Sequence, residues 1–358
     1  MPPPEAAQDF YRTLQRLQLV LVAAGRRAWA RMGPEFDTSW EQIAPALVTV
    51  AVATQQRAAA EAASYVPALL AETDQPDEPA GAIVPRAFAG TAADGRPLGS
   101  LLYGAVVQAK LARQGAITRD GDVTSYTPGR GVQDALAIGG RWLDGTLATV
   151  ATDAGRQAVG TEIAQRRGMG WVRMVNPPCC SRCAILAGRW YRWSDGFKRH
   201  KRCDCTHIPA AEDRAGDFRT DPQALLDNGL VNGLSEGQRR ALADGADFAR
   251  VVNADRGMYT TTVAGRLVRA TTEATTTRGI GRDLGELTKA PGERYRRSTA
   301  IRLTPEGIYQ VAASQDDAIR LLRANAYITD RAAVDAANVA ARRARDAYGA
   351  ARADQPAL

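Results

Sequence analysis

Apolar residues recur at helical spacing from the start of the chain. Phe10, Leu14, Leu17 and Leu21 line one face of a stretch over 5–31, and Gly33-Pro34 brings it to an end. A second helix is predicted from Ser39, with Gln42 three residues on in the manner of a capping box, to about Ala71. Pro45 falls in its first turns, and Pro67 is expected to kink or shorten its end. After a polar loop over 74–81 come a third helix, Leu98 to Gln114, and a turn-rich stretch from Thr118 to Gly131. The longest helical pattern runs from Val132 to Arg167, with Leu136, Leu143, Leu147 and Val150 on one face. Glycines at 139, 140, 145, 155 and 160 each lower its intrinsic propensity by about 1 kcal/mol relative to alanine. Packing against a neighbour must hold that helix, or it breaks in two.

Past Gly168 the period changes from helix to strand. Trp171 to Val175 alternates like a short strand, Arg189 to Trp193 reads as a second, and Thr206 to Ile208 as a third. Helical segments return at 222–227, 235–244 and 246–254. Residues 257–300, rich in Gly, Thr and Arg, are expected to form an extended arm. Thr304-Pro305-Glu306 then opens a helix with threonine as N-cap and proline at its first position. A further helix is expected over Asp316 to Ala326, and the Ala- and Arg-rich stretch from Arg331 onward reads as a polar helix. The expected fold class is mainly α: a helical N-terminal region over 1–95, long helices over 96–168 and a small zinc-clipped α+β module over 169–215. Short helices over 216–256, the arm over 257–300 and C-terminal helices over 301–358 complete it.

Composition agrees with a helical, globular chain: 45% of residues are hydrophobic and only 6% aromatic, so small side chains must do much of the packing. The net charge of +7 is carried almost entirely by arginine, lysine occurring only at 110, 198, 201 and 289. Spread over 358 residues, that excess is compatible with work beside nucleic acid without pointing to it. The longest apolar run, Leu17 to Ala24, is too short to span a membrane and is flanked by Arg16, Arg26 and Arg27. The first residues lack the basic and apolar regions of a secretory signal, and reduced thiols are expected.

Every cysteine and histidine falls between Cys179 and His207. The spacing Cys180-x2-Cys183, a loop of sixteen residues, then His200-x2-Cys203-x-Cys205 supplies soft ligands in the pattern of tetrahedral zinc. A disulfide framework suits short secreted chains with even cysteine counts, and this chain has five cysteines. The Pro178-Cys-Cys-Ser-Arg-Cys183 element invites comparison with zinc deaminases, but no histidine precedes His200 to complete the His-x-Glu they need. His-Glu-x-x-His is absent as well. Cys180, Cys183, His200, Cys203 and Cys205 are therefore the candidate ligands of one structural zinc. The expected set is Cys180, Cys183, Cys205 and one of His200 or Cys203, with Cys179 and His207 outside it. No catalytic or organic-cofactor residues are assigned.

From Trp171 onward, over about half its length, the chain resembles the MuF-like minor head proteins of tailed bacteriophages, in the branch found in actinobacteriophages. The resemblance is carried, in order, by Val175-Asn-Pro-Pro-Cys-Cys-Ser-Arg-Cys183 with Leu186-Ala-Gly188, and by His200-x2-Cys203-x-Cys205-Thr206. Gly245-Ala-Asp-Phe-Ala-Arg-Val-Val-Asn-Ala-Asp-Arg-Gly257 comes third, then Thr271-Thr-Glu-Ala-Thr-Thr-Thr-Arg-Gly279 followed by Arg302-Leu-Thr-Pro-Glu-Gly-Ile-Tyr309. Asp204 departs from the family's pattern, in which a basic residue is expected between the two cysteines. The resemblance implies a few copies inside the capsid of a virion near the portal, assembled in the host cytoplasm, serving head assembly and travelling with the DNA. It implies portal, scaffold or capsid protein as partners, with weak contact to packaged DNA and no membrane role. Some relatives carry a fused toxin enzyme or maturation protease, and neither pattern is present here. The competing expectation is a zinc-stabilised nucleic-acid-binding module, with Arg182, Arg189, Arg192, Lys198, Arg199, Lys201 and Arg202 around the metal and Trp190, Tyr191 and Trp193 stacking on bases.

Overall fold

The structure, a computed structural model, describes residues 3–329. It is α-rich, about 50% helical and 16% strand, and its sheets have two or three strands each, so helix packing supplies most of the core. Two compact units divide the chain: Met1–Arg119 with Thr124–Gly233, and Leu234–Leu358 with Asp120–Val123.

In the first unit the elements run α1 (Glu5–Trp29), α2 (Phe36–Glu72), α3 (Leu98–Gln114), β1 (Ala116–Asp120), β2 (Val123–Thr127) and α4 (Val132–Ala164). They continue as β3 (Met169–Met174), β4 (Cys179–Cys180), α5 (Ser181–Ala184), β5 (Trp190–Arg192), β6 (Thr206–Ala211), α6 (Pro222–Asp227) and β7 (Val231–Asn232). Helices α1 to α4 bury Leu21, Trp40, Leu47, Leu98, Leu102, Leu143 and Leu147 in one cluster. A second cluster joins the other end of the helices to the sheet β5-β3-β6, combining Phe10, Tyr65, Leu69, Val159 and Ile163 with Trp171, Val172 and Ile208. The sheet segment is thus not a module with its own core. Its strand β3 is buried along its whole length, and the helices furnish the other side of that core.

The glycines of α4 are where neighbours approach. A Cβ at Gly139 would lie 2.6 Å from the Ala105 carbonyl and 2.7 Å from the Trp29 ring. At Gly145 it would meet Lys201 and Arg202, each at 2.8 Å. The helix therefore stays in one piece of 33 residues, because burial along it offsets the propensity lost at its glycines.

The second unit holds α7 (Glu236–Ala243), α8 (Phe248–Asn253), β8 (Met258–Val263), β9 (Arg266–Thr271) and α9 (Gly281–Leu284). It continues with β10 (Leu287–Thr288), β11 (Arg297–Ser298), β12 (Arg302–Leu303), α10 (Pro305–Val311) and α11 (Gln315–Ala324). Its core gathers Ala241, Val251, Val268, Leu303, Ile308, Leu322 and Tyr327. Ser235 caps α7 through a capping box with Gln238, and Thr304 caps α10 with Pro305 at the first position.

Three expectations are corrected. The stretch 257–300 is not an extended arm: β8 and β9 form an antiparallel hairpin, β12 adds to β9, and β10 pairs with β11. Its turn, Ala264-Gly265, has positive φ at both residues, and the β-branched threonines of the stretch, with Val263 and Val268, are strand formers. The turn-rich stretch before α4 contains the strands β1 and β2. Helix α2 begins at Phe36, so Ser39 is not its cap; the Ser39 hydroxyl instead accepts from the Gly33 N–H at 3.0 Å. The same helix passes through Pro67 to Glu72, its last turns held by buried Leu69 and Leu70. The polar helix expected from Arg331 onward lies outside the described residues.

Two glycine substitutions on α4 are expected to act in opposite directions in urea unfolding. Gly139→Ala forces a methyl into backbone and ring and should cost about 1–3 kcal/mol. Gly160→Ala meets nothing within 4 Å and should stabilise by up to about 1 kcal/mol.

Candidate metal centre

The cysteine cluster is assembled from two separate pieces of chain in the first unit. The first is the turn from β4 into α5, where Cys180 is the N-cap and its sulfur accepts from the Cys183 N–H at 3.4 Å. Strand β4 pairs in parallel with β7, Cys179 opposite Val231 and Cys180 opposite Asn232, which fixes the pair from behind. The second piece is the segment 199–205 leading into β6.

Two triads of ligand atoms result, each within 4.8 Å: Cys180, Cys183 and His200, and Cys183, Cys203 and Cys205. Cys183 belongs to both. Its sulfur lies 3.4 Å from His200 Nε2 and 3.6 Å from the Cys203 sulfur, and Cys180 is 2.9 Å from the same imidazole nitrogen. His200 Nδ1 meets the Lys201 carbonyl at 2.7 Å, which turns Nε2 toward the sulfurs. Hydrogen bonding from Cys183, and then from His200, draws the Cys180 thiol down to about 4. The contact with Cys180 in turn pushes His200 up to about 9. Cys203 is likewise lowered, first by its hydrogen bonds with Cys183 and Cys205, with the Arg156 charge adding to them. With Cys180 and Cys203 drawn toward the thiolate, Cys183 pushed up by its hydrogen bonds to them, and an imidazole nitrogen turned inward, the cluster has the donor set of a soft-metal site.

The two remaining candidates lie elsewhere. Cys179 is buried away from both triads, and burial pushes it up to about 11. His207 sits edge-on to Trp171 at 4.5 Å in the core, with its carbonyl accepting from the Tyr65 hydroxyl at 2.6 Å. Burial, then the charges of Arg156 and Arg173, hold it well below the usual histidine value, so it is neutral.

What holds the ligand loop is α4, and the spacing of cysteines gave no hint of it. Arg156 donates to the carbonyls of Cys203 and Cys205, the latter at 2.8 Å, and to Asp153 at 3.0 Å. Asp153 also receives Arg199 through both guanidinium nitrogens. Lys201 reaches the Trp142 carbonyl at 3.0 Å, and the Arg202 N–H donates to the Thr149 hydroxyl at 3.1 Å. On the other side Tyr11 of α1 donates to Asp204 at 3.1 Å. Burial raises the Asp204 carboxyl, and the Tyr11 hydrogen bond works against that rise. The acid between the two cysteines therefore has a partner of its own. The only signal of this support in the sequence is a charged pair, Asp153 and Arg156, inside the Ala-, Gly- and Thr-rich stretch 145–160.

The basic and aromatic surround is divided by the same packing. Trp190 Nε1 donates to the Ala210 carbonyl and Tyr191 stacks on Trp171 at 4.2 Å, so both belong to the sheet core. Trp193 is 60% exposed. Arg199, Lys201 and Arg202 are spent on α4, whereas Arg189, Arg192 and Lys198 face solvent.

Compared with known protein families, curated proteins and solved structures, the chain matches none. No helix among the described residues is long and apolar enough to cross a membrane.

Arg156→Met should destabilise the protein by about 3–5 kcal/mol in chemical denaturation, since it strips one partner from a buried ion pair and the donors from two carbonyls. Tyr11→Phe removes a single hydrogen bond and should cost about 1 kcal/mol.

Proposed function

We propose that this chain is a MuF-like minor head protein, a non-enzymatic component inside the capsid near the portal, whose first unit is fastened by one structural zinc. The observation that carries the reading is convergence. The first two blocks of the resemblance, 175–183 and 200–206, are separated along the chain yet contribute every member of one buried cluster.

Zinc is the ion that fits the donors. With Zn–S of about 2.3 Å and Zn–N of about 2.0–2.1 Å, tetrahedral coordination sets ligand separations of about 3.5–3.8 Å. The Cys183–His200 and Cys183–Cys203 separations of 3.4 and 3.6 Å fall close to that range, and the Cys180–His200 pair, at 2.9 Å, would open by about half an ångström around an ion. Cys180, Cys183 and His200 are the ligands this reading assigns, with the fourth drawn from the second triad, Cys203 or Cys205. The set expected from spacing took Cys205 outright, with one of His200 or Cys203. Once bound, the ion supplies a cross-link between the β4–α5 turn and the loop carried on α4. The chain's residues do the rest: Arg156 and Asp153 position the loop, and the buried cysteines exclude water. Nothing in this arrangement asks for turnover; it asks for rigidity, as a part built into a particle would.

Metal analysis of protein purified without chelator is expected to give about one zinc per chain, and Cys183→Ser should lose it. Two ions per chain would assign each triad its own metal, and none would remove the zinc reading. Chelation should speed amide exchange in 199–205 and β6 before it affects α2 or α3. For the head-protein reading, mass spectrometry of purified virions and procapsids should find the chain at low copy, and absence from both overturns it.

A further inference from the structure

We propose that the first unit carries a docking groove for an acidic, extended peptide segment of a partner protein. The groove follows α4. Trp142, Thr149, Asp153, Arg156, Gly160 and Ala164 line its floor, at spacings that place them on one helical face. One wall is the segment 87–96 and the other the loop 193–201. Two hollows of about 1060 and 510 Å³ share Ala92, Ala93, Asp153 and Arg199, so they adjoin as one groove at the Asp153–Arg199 ion pair. From Trp142 to Ala164 it runs about 33 Å at the helical rise, room for about ten extended residues.

The charge of the lining selects the occupant. Arg96, Arg156, Lys198, Arg199 and Lys201 face three carboxylates, Asp94, Asp153 and Asp195. Asp94 is bound to Arg96, and Asp153 to Arg156 and Arg199. Lys198 has no carboxylate partner among the described residues, and Lys201, which donates to the Trp142 carbonyl, rests over the Trp142 ring at 4.3 Å. Between these charges the surface is apolar and finely stepped, with Ala92, Gly160, Ala164 and Phe88, and Trp193 stands exposed at the lip. Side chains of a peptide fit such steps and its carboxylates can be spaced to miss Asp195 and Asp94, whereas the evenly repeated phosphates of a nucleic acid cannot. The chain's own residues 331–358 have the wrong sign, with five arginines against three aspartates. Carboxylates flanking an apolar residue are the complementary chemistry. The proposal rests on the groove and is independent of the head-protein reading.

Selection of a random dodecamer library on the full-length protein tests it. Enrichment of Asp- and Glu-rich sequences containing an aromatic or aliphatic residue is expected. The best synthetic peptide should lose affinity about tenfold with Trp193→Ala and with Lys198→Glu, and bind more weakly as salt rises. Arg219→Glu, a charge reversal at an exposed residue that does not line the groove, should leave the affinity unchanged. No enrichment, enrichment of basic sequences, or affinity untouched by the first two variants overturns the proposal. A single-stranded oligothymidylate that binds more tightly than the peptide, and is lost in the same variants, would replace the peptide with nucleic acid.

Discussion

Arg156 is the tie on which the cysteine cluster depends. A buried guanidinium presents donors in a fixed fork, and here the fork is closed by two cysteine carbonyls on one side and Asp153 on the other. The loop it holds has no regular structure to satisfy its own carbonyls, so the helix does it for the loop. Asp153 spreads one negative charge over Arg156 and Arg199, which brings both ends of the segment 199–205 to one turn of α4. In a water-poor interior such a network is strong when complete and costly when broken.

Closeness of that loop to α4 has its own requirement. Gly145 lies under Lys201 and Arg202, and any side chain there would lift the loop away from Thr149 and Trp142. Five glycines and four threonines lower the intrinsic propensity of α4 despite its alanines, yet α1, α2, α3 and the strands β3 and β6 all pack against it. Local propensity has been given up for close approach, and the packing of α1, α2, α3 and the sheet restores the balance.

Periodicity made the long helices legible. Phe10, Leu14 and Leu21 of α1 and Leu136, Leu143, Leu147 and Val150 of α4 lie in the core, and the short strands at 171, 190 and 206 were readable from alternation and from aromatic and β-branched residues. Two kinds of information were not legible. The Thr- and Gly-rich stretch after 257 hid a hairpin because its turn, Ala264-Gly265, lacks the Asn-Gly or Asp-Gly signature and threonines fill the middle of β8. The support of the cysteine loop was hidden because Asp153 and Arg156 look like an ordinary pair three residues apart on a helix surface; only burial turns them inward. Soft ligands cluster along the sequence, but the groups that position them come from elements synthesised earlier, where nothing marks them.

The sheet that shares the core of the helices has a consequence for the order in which the protein is made. Phe10, Tyr65, Val159 and Ile163 leave the ribosome well before Trp171, Val172 and Ile208, the residues that cover them. Until β6 emerges, α1, α2 and α4 present an open apolar end to solvent, the kind of surface on which chaperones act and nascent chains aggregate. The last cysteine, Cys205, directly precedes the strand that closes this opening. Assembly of the cysteine cluster and closure of the core therefore fall in the same few moments of synthesis.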